Sequence, residues 1–268
     1  MTRLFQMDLY EIGEGRVLPE LTDEQLADTH RALDLWCGRG EWVLATAQAH
    51  PDMQVEGIDT NADFIEAARR QARLASLDNA SFRVLDPLHA SSIPDGSFDL
   101  VNARFVVDFI PLDSWSLLVR EGLRLLRPGG ILRLTEGELP ITISPATERL
   151  SSLLARALWL AQRNLCPPTS SGQTLLITPK LGRSLRDAGC LDIKQMAFVT
   201  NFSAGMPAHT AVFQDLATAY QDSTPFLLEQ EVTTAEEVAS LQAQMLEDAQ
   251  AASFNAVGFY LTVEGKKP

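Results

Sequence analysis

The sequence predicts an α/β fold: a largely parallel, doubly wound sheet with helices on both faces. Three observations carry that prediction. Residues 31–136 alternate short apolar runs with amphipathic helical stretches, and strand–helix–strand repeats at this spacing require parallel crossovers. A Gly-x-Gly turn follows the first apolar run directly, and an acid closes the second. The chain has 268 residues, of which 46% are hydrophobic and 21% charged, so one large core can be filled.

The elements follow in order. The run 32–35 is the first strand and ends in the glycine-rich turn. Residues 41–49 form a helix with Val43, Leu44 and Ala47 on one face, and Pro51 stops it. The run 55–58 is the second strand. Asn61 caps a helix reaching about residue 75, with Phe64, Ile65, Ala68 and Ala72 on its buried face. Runs 81–85 and 98–101 are the third and fourth strands. Asp113 caps a helix that buries Trp115, Leu118, Val119 and Leu126. Pro128-Gly129-Gly130 ends it and turns into a fifth strand, 131–134.

The flanks are organised differently. Residues 1–30 form a helical lid, in which the stretch from Leu21 to Leu26 reads as a capped helix. Residues 145–165 are helical, with Leu150, Leu153, Leu154, Ala157 and Leu158 as the apolar stripe. A loop covers 166–174, and Thr178-Pro179 opens a helix ending near Gly189. Runs 193–200 and 255–263 are late strands, and an acidic helix spans 233–252. The chain therefore divides into a lid (1–30), a ligand-binding core (31–140), and cap helices with the last strands of the same sheet (141–268), a single domain overall.

Charge narrows the function. Lys and Arg number 22 against 35 Asp and Glu, a formal charge of −13, which phosphate backbones and anionic lipid surfaces repel. Nucleic acid is therefore not the expected partner. No run reaches the roughly 18 apolar residues of a membrane span. The three scattered cysteines, Cys37, Cys166 and Cys190, and the lack of a signal-peptide pattern fit reduced thiols in a cytoplasm. The four histidines and three cysteines lack metal-ligand spacing, so no metal is expected.

The strongest motif is Leu33-Asp34-Leu35-Trp36-Cys37-Gly38-Arg39-Gly40. A strand, a Gly-x-Gly turn and a helix start bring backbone N–H groups close to a ligand. Asp59 ends the second strand 19 residues after Gly40, beside the crevice where the strand order reverses, and can accept both hydroxyls of a ribose. Two cofactor types use this arrangement. A dinucleotide needs a third glycine for its diphosphate, and Val43 stands there instead. S-adenosyl-L-methionine carries no phosphate, and its binders place an acid such as Asp34 at the end of the first strand, near the ammonium group.

The run from Ala32 to Glu136 resembles the class I S-adenosylmethionine-dependent methyltransferases, in the small-molecule branch that includes ubiquinone- and menaquinone-type enzymes. The motifs are LDLWCGRG, EGIDTN, FRVLDPL, PDGSFDLVNARF and LLRPGGILRLTE, in family order and at family spacing. The resemblance implies a Rossmann-like sheet of seven strands, six parallel and the last antiparallel, with lid and cap insertions. It implies that Gly38 and Gly40, with Trp36 and Cys37 in the same turn, cradle the methionine and ribose parts. Asp59 binds the ribose, with Thr60 and Asn61 beside the adenosine. Asp86 accepts from the adenine amino group, with Pro87 or Leu88 against the ring. Asn102, Ala103 and Arg104 line the methionine side, and Tyr10 of the lid closes over the cofactor. One departure stands out: the family usually has glycine where this chain has Trp36.

Methyl transfer to an O, N or C nucleophile is an in-line displacement, in which the protein supplies alignment and, where needed, a base. Arg104, Asp108 and Glu136, at the ends of strands four and five, are the candidates for orienting or deprotonating the acceptor. The product is S-adenosyl-L-homocysteine, and the acceptor is expected to be a small, partly apolar organic molecule. A homodimer is compatible with this reading. Trp36 keeps a second class open, a binding protein or cyclase that holds the cofactor without transferring methyl.

Overall fold

A computed structural model describes residues 17–107, 110–163, 175 and 177–268. Tyr10, Asp108, Cys166 and most of the expected lid lie outside the described residues. Thr22 caps the first described helix, α1 (Asp23–Ala27), in a reciprocal capping box with Gln25. The core then runs β1 (Arg31–Leu35), α2 (Glu41–Ala49), β2 (Gln54–Asp59), α3 (Ala62–Leu74), β3 (Ala80–Val84) and β4 (Phe98–Arg104). It continues through α4 (Trp115–Leu125), β5 (Leu126–Gly137), β6 (Ile141–Thr142), α5 (Pro145–Leu160) and α6 (Thr178–Asp187). The last elements are β7 (Leu191–Asn201), α7 (His209–Glu229), α8 (Ala235–Gln250) and β8 (Ala256–Lys266).

The sheet order is β3-β2-β1-β4-β5-β8, with the first five strands paired in parallel. β8 runs antiparallel to β5 on one side and to β7 on the other, so β7 points the same way as the first five. That gives the expected six strands in one direction and one against. The two-residue β6 adds an eighth strand on β8 that the sequence did not suggest.

Alternation along the strands sorts the apolar residues onto two faces. Ala32, Val55, Leu100 and Ile131 face α2, α3 and the segment carrying Val17, Leu18 and Leu21. Leu33, Leu35, Val101, Ala103, Leu132 and Leu134 face α4, α6 and the cap helices. Asn61 caps α3 as expected, accepting from the backbone N–H groups of Asp63 and Phe64. Asp113 does not cap α4. It lies in a 3-10 turn, Leu112–Ser114, and Ser114 takes the cap position without a side-chain hydrogen bond. Leu126 is buried, but as the first residue of β5 rather than the last of the helix, because its backbone is already extended (φ −78°, ψ 142°).

Asp99 pins the start of the sheet. Its carboxylate accepts from the backbone N–H groups of His30 and Arg31 at 2.9 and 2.8 Å and pairs with Arg127. Burial alone would push that carboxyl up, but the Arg127 hydrogen bond and the two backbone donors together hold it below its usual range.

Candidate ligand site at the strand ends

The order reverses between β1 and β4, and a crevice opens there, at the carboxyl ends of the strands. The turn after β1 forms its floor. Gly38 and Gly40 have φ of 59° and 87°, a backbone region costly for any residue with a Cβ. At Gly40 space is decisive as well, since a Cβ would lie 2.6 Å from the Phe82 ring and 2.9 Å from Ala68. This glycine lets α2 and α3 close against β3. Gly57 on β2 plays a similar part, because a Cβ there would sit 2.8 Å from Cys37 Sγ.

Asp59 joins the turn to the next helix. One carboxylate oxygen accepts from Gly38 N–H and the other from Asn61 N–H, each at 2.9 Å. The side chain is 7% exposed at the end of β2. A carboxylate oxygen has two lone-pair directions, so each keeps one for a further donor. Two acceptors held side by side by backbone suit a vicinal diol. Their acceptor chemistry, with the positive-φ Gly38 beside them, suits the ribose of an adenosyl group.

Asp86 lies two residues beyond β3 and is exposed. It accepts from Leu88 N–H at 2.9 Å, and its other oxygen lies 2.8 Å from His89 Nδ1. Pro87 is buried and Leu88 half-buried. Thr60 and Asn61 are exposed at the start of α3. The His89 contact is a partner that the motif alone did not reveal.

Trp36 occupies the family's usual glycine position with φ 53° and is 8% exposed within the larger core cluster. Phe105, just past β4, has φ 51°. Leu35 on β1 stands opposite Ala103 on β4, so the two left-handed aromatic residues end neighbouring strands at the crevice. Cys37 is fully buried and its N–H donates to Ile58 O at 3.0 Å, which ties the turn to β2.

The other side of the crevice is built from β4 and β5. Arg104 is 4% exposed, its guanidinium 5.9 Å from the Phe105 ring centre. Glu136 is 1% exposed, and its Oε1 accepts from Val106 N–H at 2.8 Å and Val107 N–H at 3.2 Å. The carboxylate therefore clamps the loop that leaves β4. Glu138 does similar work on the cap, accepting from Leu175 N–H and from both the N–H and the hydroxyl of Thr178. Asp34 and Asn102 are buried at 1% and 0% exposure, joined by a 2.7 Å hydrogen bond from Asn102 Nδ2 to Asp34 Oδ1.

No cluster of His, Cys, Asp and Glu among the described residues is arranged to hold a metal ion. No described helix is long and apolar enough to cross a membrane. Phe213 packs edge-on against Phe254 at 5.8 Å in the core, whereas Trp159 on α5 is 42% exposed.

Residues 32–130 match the family model described as a methyltransferase domain. A trans-aconitate 2-methyltransferase of Methylobacterium radiotolerans is 32% identical over 163 residues, covering 60% of this chain and 55% of that protein. A demethylmenaquinone methyltransferase of Staphylococcus aureus is 31% identical over 141 residues, covering 52% and 55%. The chain spans about half the length of the curated relatives it matches. Among solved structures, a Haemonchus contortus phosphoethanolamine N-methyltransferase holding phosphomonomethylethanolamine and S-adenosylhomocysteine superimposes with a TM-score of 0.51. It is 16% identical, covering 90% of this chain and 49% of that one, a likeness of fold.

Proposed function

We propose that this chain, whose residues 32–130 form a methyltransferase domain, transfers a methyl group from S-adenosyl-L-methionine to a small, partly apolar organic molecule. The observation that carries the reading is Asp59, a nearly buried carboxylate fixed by Gly38 and Asn61 N–H at the end of β2. The family match and the two methyltransferase relatives support it. When bound, the cofactor supplies an activated methyl on a sulfonium.

The chain's own residues bind and align. Asp59 takes the ribose hydroxyls. Asp86 and Pro87 receive the adenine edge and face, and Asp34 serves the ammonium end. Gly38 lets the backbone approach. Glu136 fixes the loop after β4 and, with Arg104, sets the wall against which the acceptor rests. The buried aromatic residues at that wall exclude water and favour an apolar acceptor. The chain's charge of −13 disfavours a nucleic-acid acceptor. A homodimer would form along the outer edge of β7.

Calorimetry with S-adenosylmethionine and S-adenosylhomocysteine, followed by methyl-transfer assays on small acceptors, tests the reading. Asp59→Ala removes two charge-assisted hydrogen bonds to the ribose, and cofactor affinity should fall at least ~100-fold with the circular dichroism spectrum retained. Normal uptake by that variant would refute the site assignment. Tight uptake without transfer to any acceptor would leave a binding protein or cyclase in its place.

A further inference from the structure

A row of polar side chains crosses the sheet beneath the crevice. Asp34 on β1 stands opposite Asn102 on β4, Asn102 opposite Arg133 on β5, Arg133 opposite Glu264 on β8, and Glu264 opposite Lys194 on β7. Residues in register on neighbouring strands share a face, so all five lie on one side, in line. Two residues earlier on the same face stand Ala32, Leu100 and Ile131, an ordinary apolar layer. The row interrupts that layer where α2 and the segment 17–21 cover the sheet.

The inner members are 1% exposed at Asp34 and Arg133 and 0% at Asn102. A buried arginine is tolerated only when its donors are met. Here Arg133 Nη1 donates to Asn102 Oδ1 at 2.7 Å, and its Nε pairs with Glu20, which reaches down from the covering segment. Arginine donates and never accepts. Asn102 must therefore turn its oxygen toward Arg133, which leaves its amide N–H₂ for Asp34 Oδ1 at 2.7 Å. The sense of the relay is fixed from the arginine outward, and it ends on the acid beneath the glycine turn.

We propose that Arg133 is a positioning residue for cofactor binding: through Asn102 it orients the Asp34 carboxylate toward the amino-acid end of the cofactor. This rests on the proposed function, in which Asp34 serves that end. Glu20 anchors the arginine from above, so the covering segment and the cofactor acid share one hydrogen-bonded chain. A row that served only to hold the sheet together would affect every ligand of the crevice alike, whereas a relay to Asp34 affects only ligands with an amino-acid arm.

The test compares two ligands by calorimetry on the full chain. S-adenosylhomocysteine carries the amino-acid arm; 5′-methylthioadenosine shares its adenosine and thioether and lacks that arm. In Arg133→Met and in Asn102→Leu, affinity for S-adenosylhomocysteine should fall about 10-fold, while affinity for methylthioadenosine stays within about twofold. The double variant should lose no more than either single one, because both cut the same chain. Retained methylthioadenosine binding also reports that the nucleoside half of the site is folded. If Arg133→Met does not fold, Asn102→Leu decides alone. Equal losses for both ligands, unchanged binding of S-adenosylhomocysteine, or additive losses in the double variant would overturn the proposal. A wild-type chain that binds neither compound overturns the proposed function and this inference together. A wild type that binds both, with variants that do not discriminate, overturns this inference alone.

Discussion

Trp36 sets two effects against each other. Its φ of 53° places a bulky residue in the left-handed region, which costs about 1–2 kcal/mol. Its indole is 8% exposed in the core, and removing a buried Trp side chain costs about 3–5 kcal/mol. Packing therefore outweighs strain. Trp36→Gly should lose roughly 2 kcal/mol of stability although it relieves the strain, read as a lower urea midpoint. A variant more stable than the parent would mean that the indole packs poorly. Residues of this kind divide by legibility. Gly38, Gly40 and Asp59 could be placed because turn chemistry and strand ends follow from spacing. Arg133 could not, since the sequence shows an arginine inside an apolar strand but not which residues face it across the sheet.

The connection between β5 and the loop after β4 is where the expected chemistry and the observed geometry differ most. Glu136 was expected as an acid–base candidate, and its Oε1 is bonded to Val106 and Val107 N–H. A glutamine keeps an acceptor oxygen for those donors, and an alanine does not. If the role is to clamp the loop, Glu136→Gln should retain turnover within about threefold, while Glu136→Ala loses at least ~10-fold. If Glu136 removes a proton, both variants should fall together, on the order of 10²–10⁴-fold. Steady-state kinetics on the two variants separates the roles. Most elements were legible from caps and periodicity, as with Thr22 before α1 and Asn61 before α3. The 21-residue α7 was not, because Pro225 sits inside it and hides the helical pattern. Its hydroxyls turn inward locally: Thr218, Ser223 and Thr224 each donate to a carbonyl one turn back.

On the scale of the whole molecule, the parallel half of the sheet was readable, whereas in the antiparallel half the two late strands were readable and their pairing was not. Runs 32–35 to 131–134 were legible as the first five strands because turns, and in most cases amphipathic helical stretches, separate them. The pairing of β8 between β5 and β7 links residues far apart in the chain, and only the family resemblance pointed to it. β7 bonds to β8 along one edge, and no strand among the described residues covers the other. Val199 on β7 is 64% exposed and Leu191 56%. An 11-residue strand with an open edge and exposed apolar side chains can pair with a second copy about a twofold axis. Light scattering should then give a dimer for the wild type and a monomer for Val199→Lys; a monomeric wild type would reject that assembly. The same arrangement has a consequence for synthesis on the ribosome. β7 emerges before the strand it must pair with, and the intervening α7 and α8 have to be translated first. Through that interval its backbone donors and acceptors have only water or another nascent chain to bond, so β7 is the longest strand of this sheet that must wait unpaired for its partner.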